Sequence, residues 1–266
     1  MTSAPRLRKA LGQHHLRHGA GCRPAIEFLD PRGRIVVEVG PGGGVLTREL
    51  LDAGASVLGW ELDLAWVAEL RRRFRGEPLR IVAGDALDLP WERLAPETLV
   101  AGNLPYSVAT PILERYLLRG MALPRAVFLV QDEVAQRLAA TPGTRAYGFL
   151  TVTTAALASV SVLARLAPGS FRPAPKVHGA FVGIERRAPA VVSARMERFR
   201  ATVAQSFAHR RKTIANSLAM TRGRDAAYAA LDAAGIDPIR RAETLTLEEF
   251  VALDFALGAT EPQKNL

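Results

Sequence analysis

From Arg34 onward, short apolar runs rich in β-branched and aromatic residues alternate with stretches whose apolar positions recur every three or four residues. "RIVVEV", "SVLGWEL", "LRIVAGD", "ETLVAGN" and "RAVFLVQ" predict buried strands, and "SVLARL" and "HGAFVGIERR" extend the series. "DLAWVAELRRRF" shows the helical counterpart. Asp63 stands in a capping position, and Leu64, Val67, Leu70 and Phe74 share one face. Arg71, Arg72, Arg73 and Arg75 fall at or near the end of that helix, where cations suit the macrodipole, so the run reads as a solvated helix end. The alternation predicts an α/β fold with a parallel sheet.

Around "RRAPAVVS" the pattern changes, and from about Arg195 only helical periodicity is left. The chain is therefore divided into an α/β domain over 1–188 and an all-α domain over 189–266. "MERFRATVAQSFAHRRKTIANSLAM" reads as the first long helix of the second domain, and Gly235 and Asp237-Pro238 punctuate its middle. The apolar stripes there are too short and irregular for a solenoid or coiled coil.

Composition adds three bounds. With 266 residues, 48% hydrophobic and 23% charged, the chain can bury one large core and one smaller one. A single cysteine, Cys22, excludes an internal disulfide and a thiolate metal cage, and predicts a reducing cytoplasm. No apolar run reaches the roughly 18 residues of a membrane-spanning helix, so no membrane partner is expected. The formal charge of +9 attracts polyanions, although arginine-solvated helices would give the same balance. Arg6, Arg8, Lys9, Arg17 and Arg23 all precede the first acidic residue, Glu27, as in a mitochondrial transit peptide. Little serine and the breaks at Gly12, Gly19 and Gly21 favour instead a basic arm that covers nucleic acid or cofactor.

The chemistry lies at the strand ends. "VVEVGPGGGVLTREL" is a strand, a glycine-rich turn and a helix, which brings a ligand close to backbone amides. A dinucleotide fingerprint counted from Gly40 would need glycine at 45, where Val45 stands, so a dehydrogenase reading weakens. The E-x-G-x-G-x-G run from Glu38 to Gly44 is similar instead to the first motif of S-adenosylmethionine (AdoMet) methyltransferases. The next strand ends in Glu61, 21 residues after Gly40, where a carboxylate can accept both ribose hydroxyls. The third ends near Asp85, placed to accept from the amino group of an adenine ring. Each alone could be a plain turn residue, yet together they follow the rule that ligands bind at the carboxyl ends of parallel strands.

The fourth strand ends in "GNLPY", which is similar to the motif of amino-methyltransferases that act on exocyclic nitrogens. The adenine N6 lone pair is delocalised into the ring, so the nitrogen attacks poorly until acceptors bind its hydrogens. Asn103 Oδ1 and the Leu104 carbonyl can be those acceptors, with Pro105 fixing the backbone and Tyr106 stacking on a flipped-out base. No metal is required. His14 and His18 stand four apart but have no third ligand nearby.

"RKALGQHHL", "VEVGPGGGVLTREL", "GNLPYSVATPIL", "FLVQDEVAQRL", "AYGFLTV", "FRPAPKVHGAFV", "RRKTIANSL" and "GIDPIRRAETLTLEEF" together resemble the KsgA (RsmA) family of rRNA adenine dimethyltransferases, over residues 6 to 255. The resemblance implies a Rossmann-like AdoMet-binding sheet with a smaller all-α C-terminal domain, acting as a monomer. It implies dimethylation of two adjacent adenosines near the 3′ end of 16S rRNA during small-subunit assembly. AdoMet contacts carried over fall on His14, Leu16, Gly40, Gly42, Glu61, Asp85 and Asn103. Phe171 is implied as a second aromatic that sandwiches the adenine with Tyr106. Arg210, Arg211 and Lys212, expected on the first long helix of the second domain, are implied in RNA binding. A 23S rRNA methyltransferase of the macrolide-resistance type and a non-catalytic RNA-binding assembly factor are the alternatives.

Four positions depart from the family pattern. His14-His15 stands where the family usually has Asn-Phe, Ser107 where Asn is common, and Phe149 where Arg is frequent.

Overall fold

The computed structural model describes residues 5, 14–187 and 195–259. Arg6, Arg8, Lys9 and Gly12 of the basic arm, and the expected domain change at 188/189, lie outside them.

The first of two compact units comprises residues 1–135 and 159–186. Its seven-stranded sheet runs in the order β4 (Leu79–Ala83), β3 (Ser56–Glu61), β2 (Ile35–Val39), β5 (Leu99–Asn103), β6 (Arg125–Gln131), β9 (Gly179–Arg186) and β7 (Ala158–Leu166). The five strands from β4 to β6 are parallel, and β9 is antiparallel to β6. From β2 the chain proceeds outward through β3 and β4, then returns to the other side of β2 as β5. The crevice between the carboxyl ends of β2 and β5 is therefore a topological switch point, the place where open sheets bind ligands. Every apolar run expected as a strand is one.

Burial explains the run-like sequences. Val36, Val37 and Val39 of β2 and Leu99, Val100 and Ala101 of β5 are all buried, as in a parallel sheet covered on both faces. Helix α1 (Arg23–Leu29) buries Ala25 and Leu29. Helix α3 (Leu64–Arg73) is capped as expected, with Asp63 accepting from the Ala65 amide at 2.9 Å. Its buried face is Trp66, Val67, Leu70 and the following Phe74, whereas Leu64 is exposed. Arg71 and Arg73 also differ from a solvated helix end. Arg71 donates to the Ile81 carbonyl of β4 at 2.8 Å, and Arg73 to the Gly43 carbonyl at 2.8 Å. A long guanidinium reaches from the helix end to neighbouring segments and satisfies carbonyls that water would otherwise hold.

Helix α2 (Val45–Asp52) follows the glycine turn, and α4 (Ala109–Arg119) follows β5 and the tetrapeptide Asn103–Tyr106. Arg186 of β9 secures the far end of α4. It donates to the carbonyls of Tyr116, Leu117 and Gly120 at 2.6, 2.9 and 3.1 Å, and lies over the Tyr116 ring. A two-stranded ladder joins β1 (His15–Leu16) antiparallel to β8 (Phe171–Arg172).

The second unit comprises residues 136–158 and 187–266. It takes in 136–158, which the sequence reading left with the α/β domain, because Tyr147 and Val152 belong to its apolar core with Phe199, Leu218, Leu231 and Phe250. Its helices are α6 (Phe149–Ala155), α7 (Met196–Phe207), α8 (Ile214–Arg222), α9 (Arg224–Ala233) and α10 (Leu247–Ala259). The long helix expected over 196–220 is two helices. Thr213 breaks it, its side chain accepting from the Asn216 amide to cap α8. Asp254 is fully buried and held by Arg198 and Thr202, so this deep carboxylate is paired. Among the described residues, no helix is long and apolar enough to cross a membrane.

Candidate active site

A cavity of about 340 Å³ opens at the switch point of the first unit. The turn after β2 forms one wall. Gly40, Gly42 and Gly44 have φ of 70°, 50° and 72°, a region that a side chain strongly disfavours. A Cβ on Gly42 would lie 2.8 Å from the His15 ring, and one on Gly44 2.8 Å from Phe74. Turn geometry and close approach therefore both require glycine. The Gly42 amide donates to Glu61 Oε2 and the Gly44 amide to the Pro41 carbonyl, each at 2.9 Å. These two amides serve the turn itself. What the turn offers a ligand is a backbone surface with no side chain in the way.

Glu61, at the end of β3, lines the cavity. Its Oε1 accepts from the Asp63 amide at 2.9 Å, so both oxygens are fixed by backbone amides. Burial pushes its carboxyl above the ordinary range, and the Asp63 and Gly42 amides pull it back. Asp85 lines the cavity beyond β4 and accepts from the Leu87 amide through Oδ1 at 2.8 Å. Trp60 closes the same corner by donating its indole N–H to the Asp85 carbonyl at 3.0 Å. Deeper lies Glu38, 1% exposed, accepting from the Thr47 hydroxyl at 2.6 Å. Burial, aided by neighbouring Glu61, raises its carboxyl to about 8 against the Thr47 hydrogen bond.

Asn103, Leu104, Pro105 and Ser107 form the opposite wall. Asn103 Nδ2 donates to the His14 carbonyl at 2.9 Å. The amide is thereby oriented, and its Oδ1 remains as an acceptor. The Tyr106 ring packs on the His14 ring, with centroids 5.1 Å apart and planes at 35°. Its buried hydroxyl has no hydrogen-bond partner among the described residues, and burial raises its pKa.

His14, His15 and Leu16 bring the N-terminal segment over the cavity. His15 covers Gly42 and Gly43 and packs on Trp66, with ring centroids 4.9 Å apart. Burial, with His14 nearby, lowers its pKa to about 4 despite Asp63, so the imidazole there is neutral. This residue, Glu38 and Trp60 were not singled out as site residues in the sequence. Trp60 carried a signal in its place one residue before Glu61, and Glu38 in its place at the head of the glycine motif. His15 carried none beyond its departure from the family pattern.

The structure brings together His14, Leu16, Gly40, Gly42, Glu61, Asp85, Asn103, Leu104 and Pro105 around one cavity. It does not bring Phe171 there. Phe171 is 2% exposed in the apolar core with Leu16, Leu129 and Leu166, because β8 turns that side chain inward opposite Leu16. The second wall of an adenine sandwich is therefore not Phe171 in this arrangement.

Arg210, Arg211 and Lys212 stand elsewhere than the sequence predicts. They lie in the turn between α7 and α8, not on a helix. Arg210 donates to the carbonyls of Arg145 and Tyr147, each at 3.1 Å, and pairs with Glu243 at 3.6 Å. It braces the helical unit. Lys212 Nζ lies 3.5 Å from Met220 Sδ, and both it and Arg211 are exposed. Phe149 carries Arg200 over its ring at 5.0 Å, so a cation stands beside the position where the family often has Arg.

Among the described residues no cluster of three His, Cys, Asp or Glu side chains could hold a metal ion. The cavity fits AdoMet by its donor set. A side-chain-free turn, a fixed carboxylate at Glu61 and a second at Asp85 match a nucleoside with an amino-acid tail.

Comparison with known proteins agrees with this geometry. A small-subunit rRNA methyltransferase A from Myxococcus xanthus is 44% identical, across 97% of this chain and 93% of its own length. Its counterpart from Geobacter metallireducens is 40% identical, across 96% of each chain. Among solved structures, the 23S rRNA methyltransferase ErmE superposes with a TM-score of 0.70 at 28% identity, covering 95% of this chain and 98% of that one. A Plasmodium falciparum dimethyladenosine transferase shares the fold at a TM-score of 0.77 and 21% identity, covering 90% and 96%. Residues 5–254 match the family described as ribosomal RNA adenine dimethylase, and the chain belongs to that family.

Proposed function

We propose that this protein transfers methyl groups from AdoMet to N6 of two adjacent adenosines near the 3′ end of 16S rRNA, as a monomer in the cytoplasm, during small-subunit assembly. The observation that carries the chemistry is the orientation of Asn103. Its Nδ2 is held by the His14 carbonyl, so Oδ1 is the group left to accept from an exocyclic amine. The small-subunit assignment is supported by relatives of that name at 44% and 40% identity, against 28% for the 23S enzyme.

Glu61 would hold the ribose hydroxyls and Asp85 the adenine amino group, and the side-chain-free backbone at Gly40 and Gly42 would leave room for the amino-acid tail. When bound, AdoMet supplies an electrophilic methyl group on a sulfonium. The chain's own part is to desolvate and orient. Asn103 Oδ1 and the Leu104 carbonyl accept the N6 hydrogens and localise the lone pair on nitrogen. Pro105 keeps the Leu104 carbonyl in place through its fixed φ. Tyr106 offers a ring face to the extruded base. Holding acceptor and donor in line supplies much of the rate acceleration. RNA would be held by exposed cations such as Arg211 and Lys212 through phosphate contacts.

Methyl transfer to unmethylated small subunits and, in parallel, to 23S rRNA tests the assignment. Incorporation into 16S alone is expected, and incorporation into 23S alone would move the protein to the macrolide-resistance type. Failure to bind AdoMet in calorimetry would favour a non-catalytic assembly factor.

A further inference from the structure

His14 makes three separate contacts beside the acceptor wall of the cavity. Its backbone carbonyl accepts from Asn103 Nδ2 at 2.9 Å. Its Nδ1 lies 2.7 Å from the Pro173 carbonyl oxygen. Its ring packs on Tyr106 at 5.1 Å. A carbonyl can only accept, so Nδ1 carries a proton and donates. The neighbouring ladder anchors the segment independently. His15 and Leu16 pair with Arg172 and Phe171, and the Arg17 amide donates to the Ser170 carbonyl at 3.0 Å.

The resemblance makes His14 a cofactor contact. The geometry gives its side chain a different neighbour, since the imidazole lies between the Pro173 carbonyl and the Tyr106 ring. A centroid spacing of 5.1 Å is a single ring–ring contact, whereas a base stacked between the two rings would need them about 7 Å apart, two stacking gaps. With Phe171 in the core, His14 is the aromatic side chain found against Tyr106. We propose that His14 is a positioning residue for the acceptor site: its backbone orients Asn103, and its imidazole, anchored on Pro173, holds the Tyr106 ring where the adenine is received. The proposal rests on the methyltransferase reading above and adds that the His14 side chain also serves the methyl acceptor.

The test compares His14→Ala, His14→Phe and His14→Asn in the full chain. His14→Phe keeps a ring and loses the Nδ1 donor, whereas His14→Asn keeps a donor and loses the ring. Three readouts are taken: AdoMet affinity by calorimetry, kcat and KM on small subunits, and fluorescence of 2-aminopurine placed at the target adenosine. His14→Ala should lower kcat on the order of 10- to 100-fold, the scale of a misplaced reacting group, and weaken the 2-aminopurine change. AdoMet affinity should fall by less than kcat does, since the side-chain contacts removed are those to Pro173 and Tyr106. His14→Phe and His14→Asn should each restore part of kcat, and they carry the test if His14→Ala melts below the assay temperature. Unchanged kcat in all variants would overturn the proposal, as would a loss of AdoMet affinity as large as the loss of kcat. A wild-type protein that binds no AdoMet would instead remove the reading beneath it.

Discussion

On the donor side of the cavity, Glu61 and Asp85 are fixed by amides two residues further along the chain, Asp63 and Leu87, and Glu61 also by Gly42 across one parallel strand. On the acceptor side, Asn103 and Tyr106 are held by His14, 89 residues from Asn103, which is itself tied to Pro173, 159 residues away. A donor-side strand end carries its own geometry. The acceptor side exists only once three distant segments have met. Cofactor binding should therefore tolerate loss of the His14 side chain better than methyl transfer does.

The largest effect should come from Asn103→Ala. Loss of the acceptor Oδ1 is expected to reduce kcat by at least about 100-fold, comparable with removing one preorganised hydrogen-bonding group, with a small change in AdoMet affinity. Single-turnover methylation beside calorimetry checks the split, and retained turnover would remove Asn103 from the chemistry. Tyr106→Ala should act mainly on capture of the base, raising KM for RNA.

Next is Gly44→Ala on the donor side. It forces a φ of 72° on a residue with a Cβ and drives that Cβ to 2.8 Å from Phe74. The conformation alone costs about 1–2 kcal/mol, so thermal melting should fall together with AdoMet affinity.

The pH response separates the two residues that flank the turn. His15 titrates near 6.5 when unfolded and about 4 when folded, so between those values the unfolded chain binds more protons. Its contribution to stability is present above 6.5 and lost as pH falls toward 4. Glu38 runs the other way, from 4.5 unfolded to about 8 folded. Its contribution is present below 4.5 and lost as pH rises through 8. Melting curves from about pH 4 to 9 should therefore flatten on the acid side in His15→Phe and on the alkaline side in Glu38→Gln.

The smallest effects belong to the turn between α7 and α8. Arg211→Ala with Lys212→Ala should weaken RNA binding and reduce its salt slope by about 2, one per lost phosphate contact. Arg210→Ala should lower the melting temperature instead, because that guanidinium already serves two carbonyls and Glu243.

The same contrast explains what the sequence made legible. The strands, the glycine turn, Glu61 and Asp85 follow from local rules of periodicity, turn chemistry and strand-end position. Asn103–Tyr106 was legible as a motif, but the contacts that orient it were not, because nothing in residues 101–113 specifies His14. Phe171 shows the converse. Its motif resembles a substrate contact, and only the pairing of β1 with β8 turns it into the core. The cations at 210–212 looked alike in sequence, and tertiary carbonyls separate Arg210 from the other two. The cap at Thr213 was present in the sequence, yet helical periodicity runs through it and hid the break.

The most direct test is mass spectrometry of the 3′ fragment of 16S rRNA after incubation of unmethylated small subunits with the protein and AdoMet. The account predicts two methyl groups on N6 of each of two adjacent adenosines, and none with Asn103→Ala. An unchanged fragment mass with the wild-type protein, or methylation that survives Asn103→Ala, would contradict it.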